Sequence, residues 1–121
     1  MTRLLIAFVA AASVSGRVSG FTGTHTVWVA LWSPSGFLDK PAQGLRFDAG
    51  VEPAFRFEVD GGRWALSAYE DVNENGVCDQ GMFGPKEPTG FSVPFHKWRK
   101  PVFEDVAFAA QGDVDAGVAI H

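Results

Sequence analysis

Residues 54–60, AFRFEVD, alternate without a break, with Phe55, Phe57 and Val59 on one parity and Arg56, Glu58 and Asp60 on the other. Only an extended strand places residues two apart on one face, whereas a helix would scatter these three apolar side chains around its circumference. The segment therefore has to lie in a sheet with one face on a core and the other toward water. The same period recurs in Leu45 and Phe47 against Arg46 and Asp48, and in Val14 and Val18 set among Ser13, Ser15, Arg17 and Ser19. In TVWVALW both parities are apolar, Val27, Val29 and Leu31 on one side and Trp28, Ala30 and Trp32 on the other, which predicts a central strand. RWALSAYED adds Trp64, Leu66 and Ala68 opposite Ala65, Ser67 and Tyr69.

The punctuation between these runs fits short strands. Fourteen Gly and seven Pro break the chain often, and Leu, Lys and Glu are seldom at helical spacing. GFTGTH and DGG read as turns, and SPSGFLDKPAQG as a crossover with one short helical turn around Phe37 to Lys40. Two last strands are expected over Val102–Ala109 and Val114–Ile120. The pattern predicts an all-β fold, a seven-stranded Greek-key β-sandwich of immunoglobulin or transthyretin type. At 121 residues and 46% hydrophobic, residues 13–121 suffice for one domain with its own core.

Charge and cysteine content narrow the function. A net charge of −4 offers no general attraction for nucleic acid, so none is expected as a partner. Cys78 stands alone, which excludes an intrachain disulfide and a thiolate-rich zinc or iron–sulfur site. The start, MTRLLIAFVAAASVSG, combines one basic residue, an apolar run from Leu4 to Ala12 and small residues at Ala10 to Ser13. Residues 1–12 thus read either as an export signal or as an extended first strand, and the run is too short for a transmembrane span.

The segment DVNENGVCD, residues 71–79, follows a strand directly and carries oxygen-bearing side chains at alternate positions. Asp71, Asn73 and Asn75 match positions 1, 3 and 5 of a calcium loop, Gly76 the turn glycine, Val77 the carbonyl ligand and Asp79 position 9. Calcium takes six to eight oxygens, which is why such spacing suits it. Met82 stands where the bidentate glutamate of an EF-hand would be, and no helical pattern flanks the loop. With two loop carboxylates the expected affinity is weak, on the order of 10⁻⁴–10⁻³ M. Glu87, Glu104 and Asp105 are candidates to add a ligand or to tie the long 81–101 loop toward the ion. The other reading of the same residues is a set of Asx turns that only reverses the chain.

The segments VALWSPSGF, YEDVNENGVCD, GPKEPTGFS and PVFEDVAF, taken in order, resemble a bacterial family of small exported proteins, domain of unknown function 2141. The resemblance runs from about Ser13 to the C-terminus. It falls on Asp71, Asn73, Asn75, Gly76 and Asp79, on Gly84, Glu87, Pro88, Gly90, Phe91 and Ser92, and on Pro101, Phe103, Glu104 and Asp105. It implies a β-sandwich and an extracytoplasmic location, in the periplasm, at the cell surface or secreted.

Other polar residues point to no reaction. His25, His96 and His121 are scattered and read as surface histidines; Ser67 and Ser92 lack a nucleophile elbow. Glu104 and Asp105, adjacent in an expected strand, would face opposite ways and could not flank one bond. HKWRK, with Trp98 at its centre, is a candidate ligand-binding cluster, although a solvated loop anchored by one tryptophan explains it too. Trp28 and Trp32 share a face and form either a sugar platform or core. The expectation is a non-enzymatic binding or structural module with a calcium loop, meeting a protein or envelope component through residues 81–101. The alternatives are a carbohydrate-binding accessory domain and an assembly subunit that adds its apolar N-terminal strand to a neighbour's sheet.

Overall fold

Strands form where the alternation is strongest: β1 (Ala11–Ser19), β2 (Thr26–Trp32), β3 (Gln43–Phe47), β4 (Ala54–Asp60) and β5 (Gly62–Asp71). The structure, a computed structural model, describes residues 11–74, 80–81, 84–85, 88–95, 97 and 99–120. In β4 the burial follows parity without exception, Phe55, Phe57 and Val59 inside and their neighbours exposed. Shorter strands are β6 (Gln80–Gly81), β7 (Gly84–Pro85), β8 (Thr89–Phe91), β9 (Phe108–Ala110), β10 (Asp113–Asp115) and β11 (Val118–Ala119), with one helical turn, α1 (Phe103–Val106).

These make two main sheets. In the first, β1 is antiparallel to β4, from Ala11 opposite Asp60 to Arg17 opposite Ala54, and its other edge runs parallel to β10 and then β11. The second has the order β3-β2-β5-β8, with β9 on the early part of β5. β2 is central, as its two apolar faces predict. Val14, Val18, Phe55, Phe57 and Val59 of the first sheet meet Val27, Val29, Leu31, Leu66 and Ala68 of the second in one buried core. The chain passes between sheets at residues 20–25, at 48–53, at Gly61 and at 111–112. A small hairpin, β6–β7, stands apart.

Four local expectations are corrected. Residues 33–42 are a hairpin connection, because β2 and β3 are antiparallel neighbours with Leu31 opposite Gln43. Its helical turn starts at Pro34, whose fixed φ suits a first helical position, and the Asp39 and Lys40 amides both donate to the Gly36 carbonyl, at 2.9 Å each. DGG is a corner between sheets, since β4 pairs with β1 and β5 with β2. The expected strand over 102–109 is α1 followed by β9. Phe103 and Val106, three apart, both become buried on one helical face, and the Asp105 carboxylate accepts the Val102 N–H at 2.9 Å. The last expected strand is broken at Ala116–Gly117 into β10 and β11.

A second, smaller core lies on the outer face of the second sheet. Ala65, Phe103 and Val106 are buried there with Trp32, Phe37, Phe91, Val93 and Phe95 around them. Phe37 is its hub, with ring centroids 6.0 Å from Trp32, 6.1 Å from Phe91 and 5.8 Å from Phe103. Aromatic rings at this spacing attract beyond their area burial. Both the 33–42 connection and α1 are held to the sheet by it.

Candidate functional site at the end of strand β5

At its C-terminal end β5 turns from apolar to acidic. Glu70 continues the core parity of Leu66 and Ala68 and is fully buried. A buried carboxylate needs hydrogen-bond donors. The 20–25 turn supplies them: the Thr22 amide at 2.9 Å to Oε1 and the Thr22 hydroxyl at 2.5 Å to Oε2. Asp71 lies on the outward parity, opposite Thr26 of β2, yet only 1% of its surface is exposed. Two carboxylates are thus buried at consecutive positions where the expected ion loop begins.

Beyond Asp71 the chain bends at once. The Glu74 amide donates to the Asp71 carbonyl at 3.1 Å, and Glu74 sits at φ +55°, in the left-handed region. Its carboxylate reaches back to β2 and accepts the Thr26 amide at 2.8 Å and the Thr26 hydroxyl at 2.6 Å. The His25 Nδ1 is 3.7 Å from the same carboxylate. The Thr26 hydroxyl bond first, and then the Thr26 amide bond, hold the Glu74 carboxyl below its ordinary range. Because the folded value is depressed, this contact stabilises the fold above the ordinary carboxylate range and is lost as pH falls through the lowered value.

Of the residues expected to hold calcium, Asp71 is buried and Asn73 is exposed. Asn75, Gly76, Val77 and Asp79 lie outside the described residues, as do Cys78, Glu87, Trp98, His96, His121 and residues 1–10. Among the described residues no three His, Cys, Asp or Glu side chains come together as a metal cluster. Ala11 and Ala12 are the first residues of β1, so the first strand reaches two residues into the 1–12 segment.

Glu104 and Asp105 take arginine partners. Glu104 accepts from Arg63 at 2.7 Å, and Arg63 lies near the start of β5, roughly 27 Å along the strand from Asp71. Asp105 holds Arg99 in a two-point bond, at 2.6 and 3.0 Å, with the Lys97 ammonium 3.9 Å away. Asp105, on α1, thus pairs with Arg99 at the end of the 81–101 loop. The cause is the helical turn, which sends the two neighbouring carboxylates to different partners at the far end of the sheet. Arg99, and behind it the Val102 amide, pull the Asp105 carboxyl from 3.8 down to about 2. The pair therefore contributes stability above the ordinary aspartate range, lost as pH falls toward 2. A carboxyl-carbon NMR titration should give an Asp105 midpoint near 2, and Arg99→Ala should return it toward 3.8; an unchanged midpoint in the variant would disprove the pairing.

Trp32, Trp28, Lys97 and Arg99 make contacts within the fold. Trp32 belongs to the outer aromatic cluster and donates its Nε1–H to the Ser67 hydroxyl at 2.8 Å, which also commits that serine. Trp28 lies under the Arg46 guanidinium, 5.9 Å from the ring centre. Lys97 and Arg99 of the basic cluster turn to Asp105, and Arg99 also covers Phe95 at 5.6 Å.

Glu70, Glu74, Thr22 and Thr26 were not identified from sequence. One signal was present, since a glutamate at the core parity of an otherwise apolar strand demands a buried partner. Its partner lies 48 positions away, a distance that only the fold closes.

No curated protein and no solved structure matches the chain. A family model described as an uncharacterized protein conserved in bacteria matches residues 18–116, from the end of β1 through β10 and across the whole acidic turn. The chain belongs to that bacterial family, DUF2141.

Proposed function

We propose that this protein is a non-enzymatic, extracytoplasmic binding or structural module whose 71–79 loop holds a calcium ion. Asp71, Asn73, Asn75 and Asp79 would supply side-chain oxygens and Val77 its carbonyl. The observation that carries the reading is the burial of Asp71 at the first ligand position, directly beside the buried Glu70. Adjacent buried carboxylates are expensive unless paired, hydrogen-bonded or on a metal, and Glu70 meets neutral donors from Thr22. A cation in the loop would add a charged partner at the place where the two side chains are buried together. An extracytoplasmic location, to which the export-like N-terminal run points, would suit calcium, since weak sites of this kind fill only where the ion is at millimolar levels.

The same reading places the partner surface, for a protein or envelope component, on the 81–101 loop, whose end Asp105 anchors. A Greek-key, immunoglobulin-type connectivity is part of the proposal. It is supported by the antiparallel pairs β1–β4 and β2–β5 lying in opposite sheets with a direct β4-to-β5 corner between them.

Thermal unfolding in EDTA and in calcium, with magnesium as control, tests the site. At about 5 mM calcium and a dissociation constant of about 10⁻⁴ M, binding to the native state stabilises by about 2 kcal/mol. That corresponds to a midpoint rise of several degrees. The rise should be specific to calcium and absent in Asp71→Ala. If wild-type protein unfolds at the same temperature in all three buffers, the loop is a turn and nothing more.

A further inference from the structure

Left-handed backbone is common for glycine and tolerated by asparagine, but uncommon for glutamate. Glu74 adopts it, at φ +55°, and is held there from two directions. Its amide closes the first turn of the loop on the Asp71 carbonyl. Its carboxylate crosses to β2, where it takes both the amide and the hydroxyl of Thr26, the residue paired with Asp71 in the sheet. Asp71, Glu74 and Thr26 thereby form a closed ring that includes the end of β5, the start of the loop and the start of β2.

We propose that Thr26 and Glu74 are the positioning pair of the cation loop, fixing the backbone between Asp71 and Glu74 and coupling occupancy of the loop to the start of β2. The inference rests on the calcium reading of the loop. Glu74 bonds through both carboxylate oxygens to Thr26, so it acts on the ion through the backbone it orients. Groups of this kind, one layer behind the ligands, commonly tune metal affinity. Coupling is reciprocal: if the clasp favours the ion, the ion must favour the clasp. Calcium should therefore slow hydrogen exchange at the Thr26 amide, whose acceptor is Glu74.

The test uses the full chain with calcium chloride as the probe, reading affinity by calorimetry and Thr26 amide exchange by NMR. Thr26→Val removes the hydroxyl and keeps the shape, and it is expected to weaken binding about tenfold or more, with Glu74→Gln also weaker and Thr26→Ser within about twofold of wild type. Wild-type binding with equal affinity in Thr26→Val and Glu74→Gln would overturn the pairing and leave the calcium reading standing. Equal weakening in Thr26→Ser and Thr26→Val would trace the loss to packing of β2 and also overturn it. No heat and no change in Thr26 exchange for the wild type would remove the calcium reading and this inference together.

Discussion

Gly90→Ala is expected to destabilise the fold by about 3 kcal/mol or more, against the usual 1–3 kcal/mol for overpacking. Gly90 sits in the middle of β8, at the edge of the second sheet, and a Cβ there would overlap the carbonyl oxygen of Ala119 in β11, at the edge of the first. The obstacle is backbone, which cannot rotate aside as a flexible side chain can. β11 is in turn held by its parallel pairing to β1, through Val18–Val118 and Ser19–Ala119, so moving it disturbs the first sheet as well. Gly16 has the same relation to this segment, its notional Cβ lying 2.5 Å from the Ala116 oxygen. The approach of β8 to β11 thus depends on Gly90, and that of β1 to the 116–117 break on Gly16. Gly44→Ala in β3 is the control, because its Cβ meets the Val29 oxygen at an ordinary 3.7 Å. Urea unfolding should separate the two variants clearly; equal midpoints would mean that β8 and β11 are not packed edge to edge.

Glu70→Ala should lose about 3–5 kcal/mol, most of it from groups left behind. The Thr22 amide and hydroxyl would both lose their acceptor, at about 1–3 kcal/mol for a buried unsatisfied group, and truncation would open a cavity. Glu70→Gln keeps an acceptor for the amide and offers an NH₂ to the threonine oxygen, so about 1–2 kcal/mol is expected. Thr22→Val combined with Glu70→Ala closes a double-mutant cycle, and a coupling of about 1–2 kcal/mol is predicted. Additive effects in that cycle would sink the claim that Thr22 is what makes the buried glutamate tolerable. The 20–25 turn would then need another explanation for its place against β5.

Much of the scaffold was legible because period two has one physical meaning. β4 could be nothing but a half-buried strand, and the apolar faces of β2 required neighbours on both sides. The segment 102–109 was less decisive, since Phe103 and Val106 satisfy a helical spacing as well as residing in an alternating run. The choice fell to Asp105, whose carboxylate caps the Val102 amide, and to the aromatic cluster that buries both apolar residues. Glu104 and Asp105 were recognised as important acids, but their partners Arg63 and Arg99 depend on where α1 packs.

The sequence by itself determined the strand content, the place where an oxygen-rich loop leaves β5, and the absence of a thiolate metal site. These follow from neighbours along the chain, through side-chain parity, spacing and residue chemistry. Only the tertiary structure decided that Glu70 and Glu74 grip Thr22 and Thr26 across 48 positions, and that the acids of α1 serve Arg63 and Arg99. It also decided that Gly90 marks a meeting of two sheet edges. Register and the approach of one backbone to another are set by the summed packing of both sheets, and no local pattern encodes them.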